Sequence, residues 1–390
     1  MTSANRDKDH PLEAKTTGTV TLANWQQHRA YGLRNLERVV PDLISANAEE
    51  IRPLRVERDY AIGELAAVRA LRDHDACDGL LVLSGDRIAY EGYANGMTPT
   101  SLHSCQSSTK TTMNLLAGKA IAGGALDLDA PVEQYVPEIG DGFRGRSVDD
   151  VLAMNVRHEL DEMAAMTGDR TLFDKEESSM GLVPSSITPM NRREFIASLG
   201  PGNEDGTNEN RTGGAFYATI NTALAGWLVE RATGESLQQS VRELMHAIGG
   251  ENPIYMAVDR VGVPLVGAGF VMTLRDFARY GMLLGSGGAG VGGELVGGGP
   301  GFVQRTLADG VVPYDVEGYY YVYSAFASEY GFGHAGWGGQ WIWADPASET
   351  VIAAFAGLMG ADPADHRYLE LLVEVTGEVV DYARQASSES

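Results

Sequence analysis

Strand-like segments lie near the two ends of this chain, and helix-like segments fill the middle. Toward the N-terminal side, "GLLVL" (79–83) and "IAYEGY" (88–93) read as a strand pair joined by "SGDR", a tight-turn signal. Toward the C-terminus, "WGGQWIWADPASETVIAAFAG" reads as two more strands with a turn at Asp345 to Thr350. Between 147 and about 250 the pattern is helical and loop-rich. There "NTALAGWLVERATG" is a firm helix closed by Gly234. Strands from both chain ends imply one α/β domain assembled from residues 21–145 and 256–390, interrupted by a helical domain over 146–255. Inside that insertion the polar stretch "GDRTLFDKEESSMGLVPSSITPMNRREF" is expected to be a lid-like loop. Residues 1–20 read as a flexible tail. Trp25 to Ser45 reads as an amphipathic helix, with Leu33, Leu36, Val39, Val40 and Leu43 at helical spacing. "DHRYLELLVEVTGEVVDYARQ" reads as a terminal amphipathic helix.

A chain of 390 residues exceeds what a single core usually supports, in keeping with that division. Its 30 basic and 53 acidic residues leave a net charge of −23, which argues against nucleic acid and anionic membrane as partners. Only Cys77 and Cys105 are present, too few for a disulfide scaffold, so a reducing cytoplasm is expected. The N-terminal residues are polar and have no apolar core, unlike a signal peptide. No run of about 18 apolar residues occurs, so no transmembrane helix is expected.

Two short motifs have simple readings. "GSGGAG" (285–290) matches a dinucleotide-binding pattern but follows a helix-like run instead of a strand, so it reads as a glycine-rich loop. "HELDE" (158–162) begins like a zinc-protease helix, but Glu162 stands where the second histidine belongs, and the segment reads as a solvated charged helix face. No G-x-S-x-G elbow is present.

The segment "CQSSTKTTMNLLAGKAIA" offers more. On a helix, Ser107 and Lys110 share a face. A lysine in a partly dry site has a lowered pKa and assists a serine nucleophile. The helix start adds N–H groups that favour an oxyanion. Alone, S-x-x-K is a weak match, and Ser107 could be only a cap. Two further segments give it context: Tyr217 in "FYATINTALAGWLVERATG", at the head of a helix, and "GHAGWGGQW" near the C-terminus.

With these three motifs in order, the chain resembles the serine β-lactamase and penicillin-recognising superfamily, in its class C and esterase branch. Within it the chain is most similar to 6-aminohexanoate-dimer hydrolases, through "LANWQQHRAYGLRNLERVVPDL" and "GWLVERATG". The resemblance spans about residues 20–385. It implies a β-lactamase/transpeptidase-like α/β (α+β) fold, an antiparallel sheet flanked by helices with an inserted helical domain, and a site in the cleft between them. It implies that Ser107 is acylated, that Lys110 is its partner and that Tyr217 is the general base. The backbone N–H groups of Ser107 and Trp337 would form the oxyanion hole. Thr219, His334, Gly336 and Trp341 would line the substrate site. Thr219 stands where the family usually has Asn, so weak recognition of amide side chains, including those of β-lactams, is expected. The implied activity is hydrolysis of a small ester or amide without metal or cofactor. The alternatives are transfer of the acyl group to an amine or alcohol, and a non-catalytic ligand-binding descendant.

Overall fold

The computed structural model describes residues 20–165, 168–185, 190–202, 214–358 and 363–389. Apart from Val20, the expected tail lies outside them. The central feature is a nine-stranded sheet built from both chain ends. Its middle is the run of antiparallel strands Arg87–Tyr93, Cys77–Ser84, Thr350–Ala356, Gln340–Asp345 and Gly331–Gly336. Three short strands (Ala325–Ser328, Tyr320–Val322 and Val312–Pro313) continue one edge, and Arg55–Val56 pairs in parallel at the other. The hairpin anticipated at "SGDR" closes through Gly85, whose φ of +57° suits a tight turn that other residues resist.

Strand alternation separates the two faces of this sheet. Trp341, Trp343, Ile352 and Ala354 pack with the terminal helix Pro363–Glu389 through Leu371, Leu372 and Val375. Ile342, Val351, Ala353 and Phe355 face the opposite way, toward the helix Leu274–Gly285. The approach there is close: a Cβ on Gly281 would sit 2.4 Å from Val351 and 2.9 Å from Ile342. A smaller antiparallel sheet runs in the order Leu43–Ala46, Ile254–Ala257, Phe270–Thr273 and Leu102–Ser104. It brings the strand that leads into Ser107 beside the strand that follows Gly267.

Two elements differ from expectation. The single helix expected over Trp25 to Ser45 is two short helices, Arg29–Arg34 and Leu36–Val39, followed by the strand Leu43–Ala46. Asn35 interrupts the first helix at φ −136°, and Val40, ahead of Pro41, is extended at ψ 144° as a residue before proline prefers. The lid-like stretch holds two helices. Thr171–Met180 is stopped by left-handed Gly181, and Arg192–Ser198 is started by an Asn191–Glu194 capping box. Residues 186–189 of that stretch lie outside the described residues. Among the described residues no helix is long and apolar enough to cross a membrane.

Candidate active site

The chain enters the site from Leu102–Ser104, turns through Cys105 and Gln106, and continues as a 3₁₀ turn over Gln106–Lys110 into the helix Thr111–Ala122. Gln106 has φ +48°, a left-handed conformation that costs a non-glycine residue about 1 kcal/mol or more. Its side chain donates to Ser104 Oγ at 2.7 Å, and the Cys105 N–H donates to the Phe270 carbonyl at 2.8 Å, which together hold the turn. The result separates three serines. Ser104 and Ser108 are buried, and Ser108 Oγ donates to the His334 carbonyl at 3.0 Å. Ser107 alone reaches the surface in part.

Lys110 is fully buried, and its ammonium meets three oxygens: Ser107 Oγ at 2.9 Å, Thr219 Oγ1 at 3.0 Å and the Gly267 carbonyl at 2.9 Å. Burial pushes its pKa down to about 8, against the pull of Glu162 and Glu176, while Arg192 adds to the lowering. Tyr217 sits ahead of the helix Thr219–Thr233, partly exposed, with its ring centroid 5.0 Å from Lys110 Nζ and Ser107 near enough to oppose the rise of its pKa. Desolvation first, then Tyr321, Glu162 and Tyr314, drive the Tyr217 phenol well above its ordinary value. That burial favours the neutral phenol of Tyr217, the residue that the resemblance makes the general base. Tyr314, Tyr321 and His334 surround its ring with centroids 6.0–6.4 Å away.

The strand Gly331–Gly336 passes directly beside the Ser107 turn. A Cβ on Gly336 would lie 2.5 Å from the Cys105 carbonyl oxygen and 2.8 Å from Gln340 Cβ, so only glycine fits. Trp337 follows, its ring edge-on to Trp25 at 5.9 Å, and Trp25 Nε1 donates to the Leu182 carbonyl at 2.9 Å. The tryptophan-bearing N-terminal segment thus props the turn after Gly336. Gly336→Ala is expected to push the strand end from Ser107, slow covalent labelling by a fluorophosphonate more than tenfold, and cost about 1–3 kcal/mol of stability as overpacking does. Labelling kinetics and a thermal melt check both; a variant unchanged in each would show that the strand end yields freely.

Three residues expected to line the substrate site do other work. Trp341 opposes Ala335 and His334 opposes Ile342 in the strand register, so Trp341 projects from the face opposite His334. Its indole N–H donates to Thr376 of the terminal helix at 3.1 Å. His334 is 1% exposed; its Nε2 lies 3.2 Å from the Tyr321 hydroxyl and its Nδ1 2.5 Å from the Ala335 carbonyl. Burial, reinforced by Lys110, pushes its pKa down to about 3, so the ring is neutral. Thr219 is buried, and its hydroxyl is taken by Lys110 and Glu162.

Glu162 is the residue missed in the sequence. The "HELDE" segment is not a solvated helix face. His158 is buried between Phe143 and Phe216, and a short helix begins only at Glu162, which is 7% exposed. Glu162 accepts from the Thr219 N–H at 2.5 Å and from the Thr219 hydroxyl at 2.9 Å. Behind it, a buried Glu176–Arg192 pair at 3.3 Å closes the polar layer. The remaining signal in the sequence was the two-residue offset between Tyr217 and the helix that carries Thr219, which gives no hint of a partner some 57 residues earlier.

An antiparallel sheet from both chain ends, helices between, and a serine–lysine pair at a helix start define a hydrolase of the β-lactamase fold. The family model described as Beta-lactamase matches residues 66–375, and the chain belongs to that family. The 6-aminohexanoate-dimer hydrolase of Paenarthrobacter ureafaciens is 26% identical over 316 residues, which cover 79% of this chain and 78% of the relative. Among solved structures, a Bacillus anthracis protein provisionally named a 6-aminohexanoate-dimer hydrolase superposes with a TM-score of 0.76 at 18% identity, covering 93% of this chain and 98% of its own. EstCE1, a hydrolase with promiscuous acyltransferase activity, matches with a TM-score of 0.57 at 16% identity, covering 82% of this chain and 100% of its own.

Proposed function

We propose that the chain is a serine hydrolase that cleaves a small ester or amide through an acyl-Ser107 intermediate. The observation that carries this reading is the 2.9 Å contact between the only partly exposed serine of the turn and a buried lysine whose pKa is pushed down to about 8. Lys110 takes the Ser107 proton as Oγ attacks the substrate carbonyl. The carbonyl electron pair moves to oxygen, where the Ser107 and Trp337 backbone N–H groups receive it. Tyr217, un-ionised and near Ser107, passes its proton to the leaving group as the tetrahedral centre collapses and is reprotonated from the Lys110 ammonium, so both groups return to their starting states. Water then repeats the sequence on the acyl-enzyme, with Lys110 again accepting the proton. Tyr217, Tyr314 and Tyr321 give the neighbourhood an aromatic wall suited to an uncharged acyl group.

The name of the Paenarthrobacter relative supports including linear amides as well as esters among substrates. Transacylation uses the same residues, and the promiscuous acyltransferase activity of EstCE1 makes it the second reading; added amine acceptors would divert product from acid to amide. Cys77 and Cys105, both unpaired and buried, are in keeping with a reducing compartment. The test is a panel of p-nitrophenyl esters and anilides with intact-mass detection of the acyl-enzyme. An adduct mapping to Ser107 supports the reading, and turnover with the adduct elsewhere removes it.

Tyr217→Phe removes only the hydroxyl from a packed ring. Turnover is expected to fall about 10²-fold, the usual scale for a lost proton-transfer group, with the melting temperature nearly unchanged. The loss should be smaller for esters with acidic leaving groups than for anilides, because a p-nitrophenolate leaves without a proton. Equal losses for both would remove Tyr217 from the leaving-group step.

A further inference from the structure

We propose that Glu162 is a positioning residue for the Ser107–Lys110 pair, acting through the Thr219 hydroxyl to turn the lone pair of neutral Lys110 toward Ser107. The proposal rests on the acyl-serine reading above. A neutral amine offers two N–H donors and one lone pair. The three neighbours of Lys110 Nζ are the Gly267 carbonyl at 2.9 Å, Thr219 Oγ1 at 3.0 Å and Ser107 Oγ at 2.9 Å. A carbonyl only accepts, so Gly267 takes one N–H. Each hydroxyl can accept or donate, so these three contacts alone leave the lone pair free to face either Ser107 or Thr219.

Glu162 removes that ambiguity. As a carboxylate it only accepts: Oε2 receives the Thr219 N–H at 2.5 Å, and Oε1 lies 2.9 Å from Thr219 Oγ1. The single hydroxyl proton of Thr219 therefore points at Glu162, and its oxygen accepts the second N–H of Lys110. The lone pair of Lys110 is left with one partner, the Ser107 O–H. When Ser107 attacks, its proton moves to Nζ as the Oγ–acyl bond forms. The ammonium then has three N–H groups on three oxygens, and none of them has to reorient. The geometry is tight. A Cβ on Gly267 would lie 2.6 Å from Thr219 Cγ2, so Thr219 is also packed closely against Gly267. The charged or titratable groups around Lys110 come from several elements. They are Glu162, Glu176 and Arg192 from the helical layer, Tyr217 ahead of its helix, and His334 from the sheet. His334 is neutral, Glu162 and Glu176 raise the proton affinity of Lys110, and Arg192 lowers it.

Glu162→Gln tests the direction of the chain with little change of shape. The amide oxygen keeps the Thr219 N–H, and the amide NH₂ donates to Thr219 Oγ1. The Thr219 hydroxyl then donates to Lys110 and occupies its lone pair. The readout is the second-order rate of labelling by an alkyl fluorophosphonate, in which the Oγ–P bond forms, fluoride leaves and the serine proton goes to Lys110. That rate is expected to fall about 10²-fold, a typical loss for general-base assistance. The acid limb of its pH profile should also move to lower pH, because a negative charge that raises the proton affinity of Lys110 has gone. Thr219→Val should lose a comparable factor, Thr219→Ser should recover most of it, and Glu162→Gln should add little on top of Thr219→Val. A Glu162→Gln rate within threefold of the parent, an unmoved acid limb, or losses that multiply with those of Thr219→Val would overturn the proposal. Should Glu162→Gln fail to fold, Thr219→Val against Thr219→Ser decides it, equal rates being the overturning result. Ser107→Ala runs alongside. If it does not label, the acyl-serine reading stands and Glu162 is judged on its own variants; if it labels normally, both ideas fall together.

Discussion

Ser107→Ala is expected to abolish both turnover and covalent labelling while leaving the fold intact. The substitution removes one oxygen from a residue that already reaches solvent in part, so the loss of stability should be within about 1 kcal/mol. No neighbour is placed to substitute. Ser108 Oγ is buried and bonded to the His334 carbonyl, and Ser104 Oγ is buried under the Gln106 amide. Replacing the nucleophile of a serine hydrolase leaves only the background from binding and oxyanion stabilisation, a loss on the order of 10⁴-fold or more. Intact-mass analysis after fluorophosphonate treatment separates the outcomes: the parent gains one adduct and the variant none. An adduct of the same mass on the variant would reassign the nucleophile.

The parts of this structure that were legible in the sequence are those set by local contacts. Ser107 and Lys110 are three residues apart on one turn, so their pairing needs nothing but helical geometry. Gly85 and Gly234 mark a hairpin and a helix end by their own conformational freedom. What was not legible depends on packing between distant segments. Glu162 belongs to a string of charged residues that looks solvated. It is buried because the segment ahead of it is pinned by His158 between two phenylalanines and by an isolated bridge to Pro201. Thr219 looked like a weakened substrate contact, yet its partners lie at positions 110 and 162, and no spacing rule links the three. Trp341 was expected to line the substrate site. The register against Ala335 sends it to the far face, and register is a property of two strands that neither declares alone. The broken helix after Trp25 was open to a local reading, since Pro41 sits inside the proposed span.

Lys110→Met is expected to lower acylation about 10³-fold and to erase a limb in the pH profile that the parent should show. Burial is the main reason that the Lys110 pKa is pushed down to about 8; Glu162 and Glu176 oppose the shift and Arg192 assists it. Only the neutral amine accepts the Ser107 proton, so the sign is fixed: activity should be low in acid, rise as pH increases through about 8, and level off about one unit higher. Below the midpoint the rate should drop about tenfold per pH unit, the behaviour of one group that must lose one proton. A mechanism led by an ionised Tyr217 predicts something different. That phenol lies well above its ordinary value, so the rise would continue past pH 10. The pH profile of fluorophosphonate labelling, taken on the parent, Lys110→Met and Tyr217→Phe, distinguishes the two. A limb near 8 that survives Tyr217→Phe and vanishes in Lys110→Met assigns the base to lysine. A limb that survives Lys110→Met would take it away.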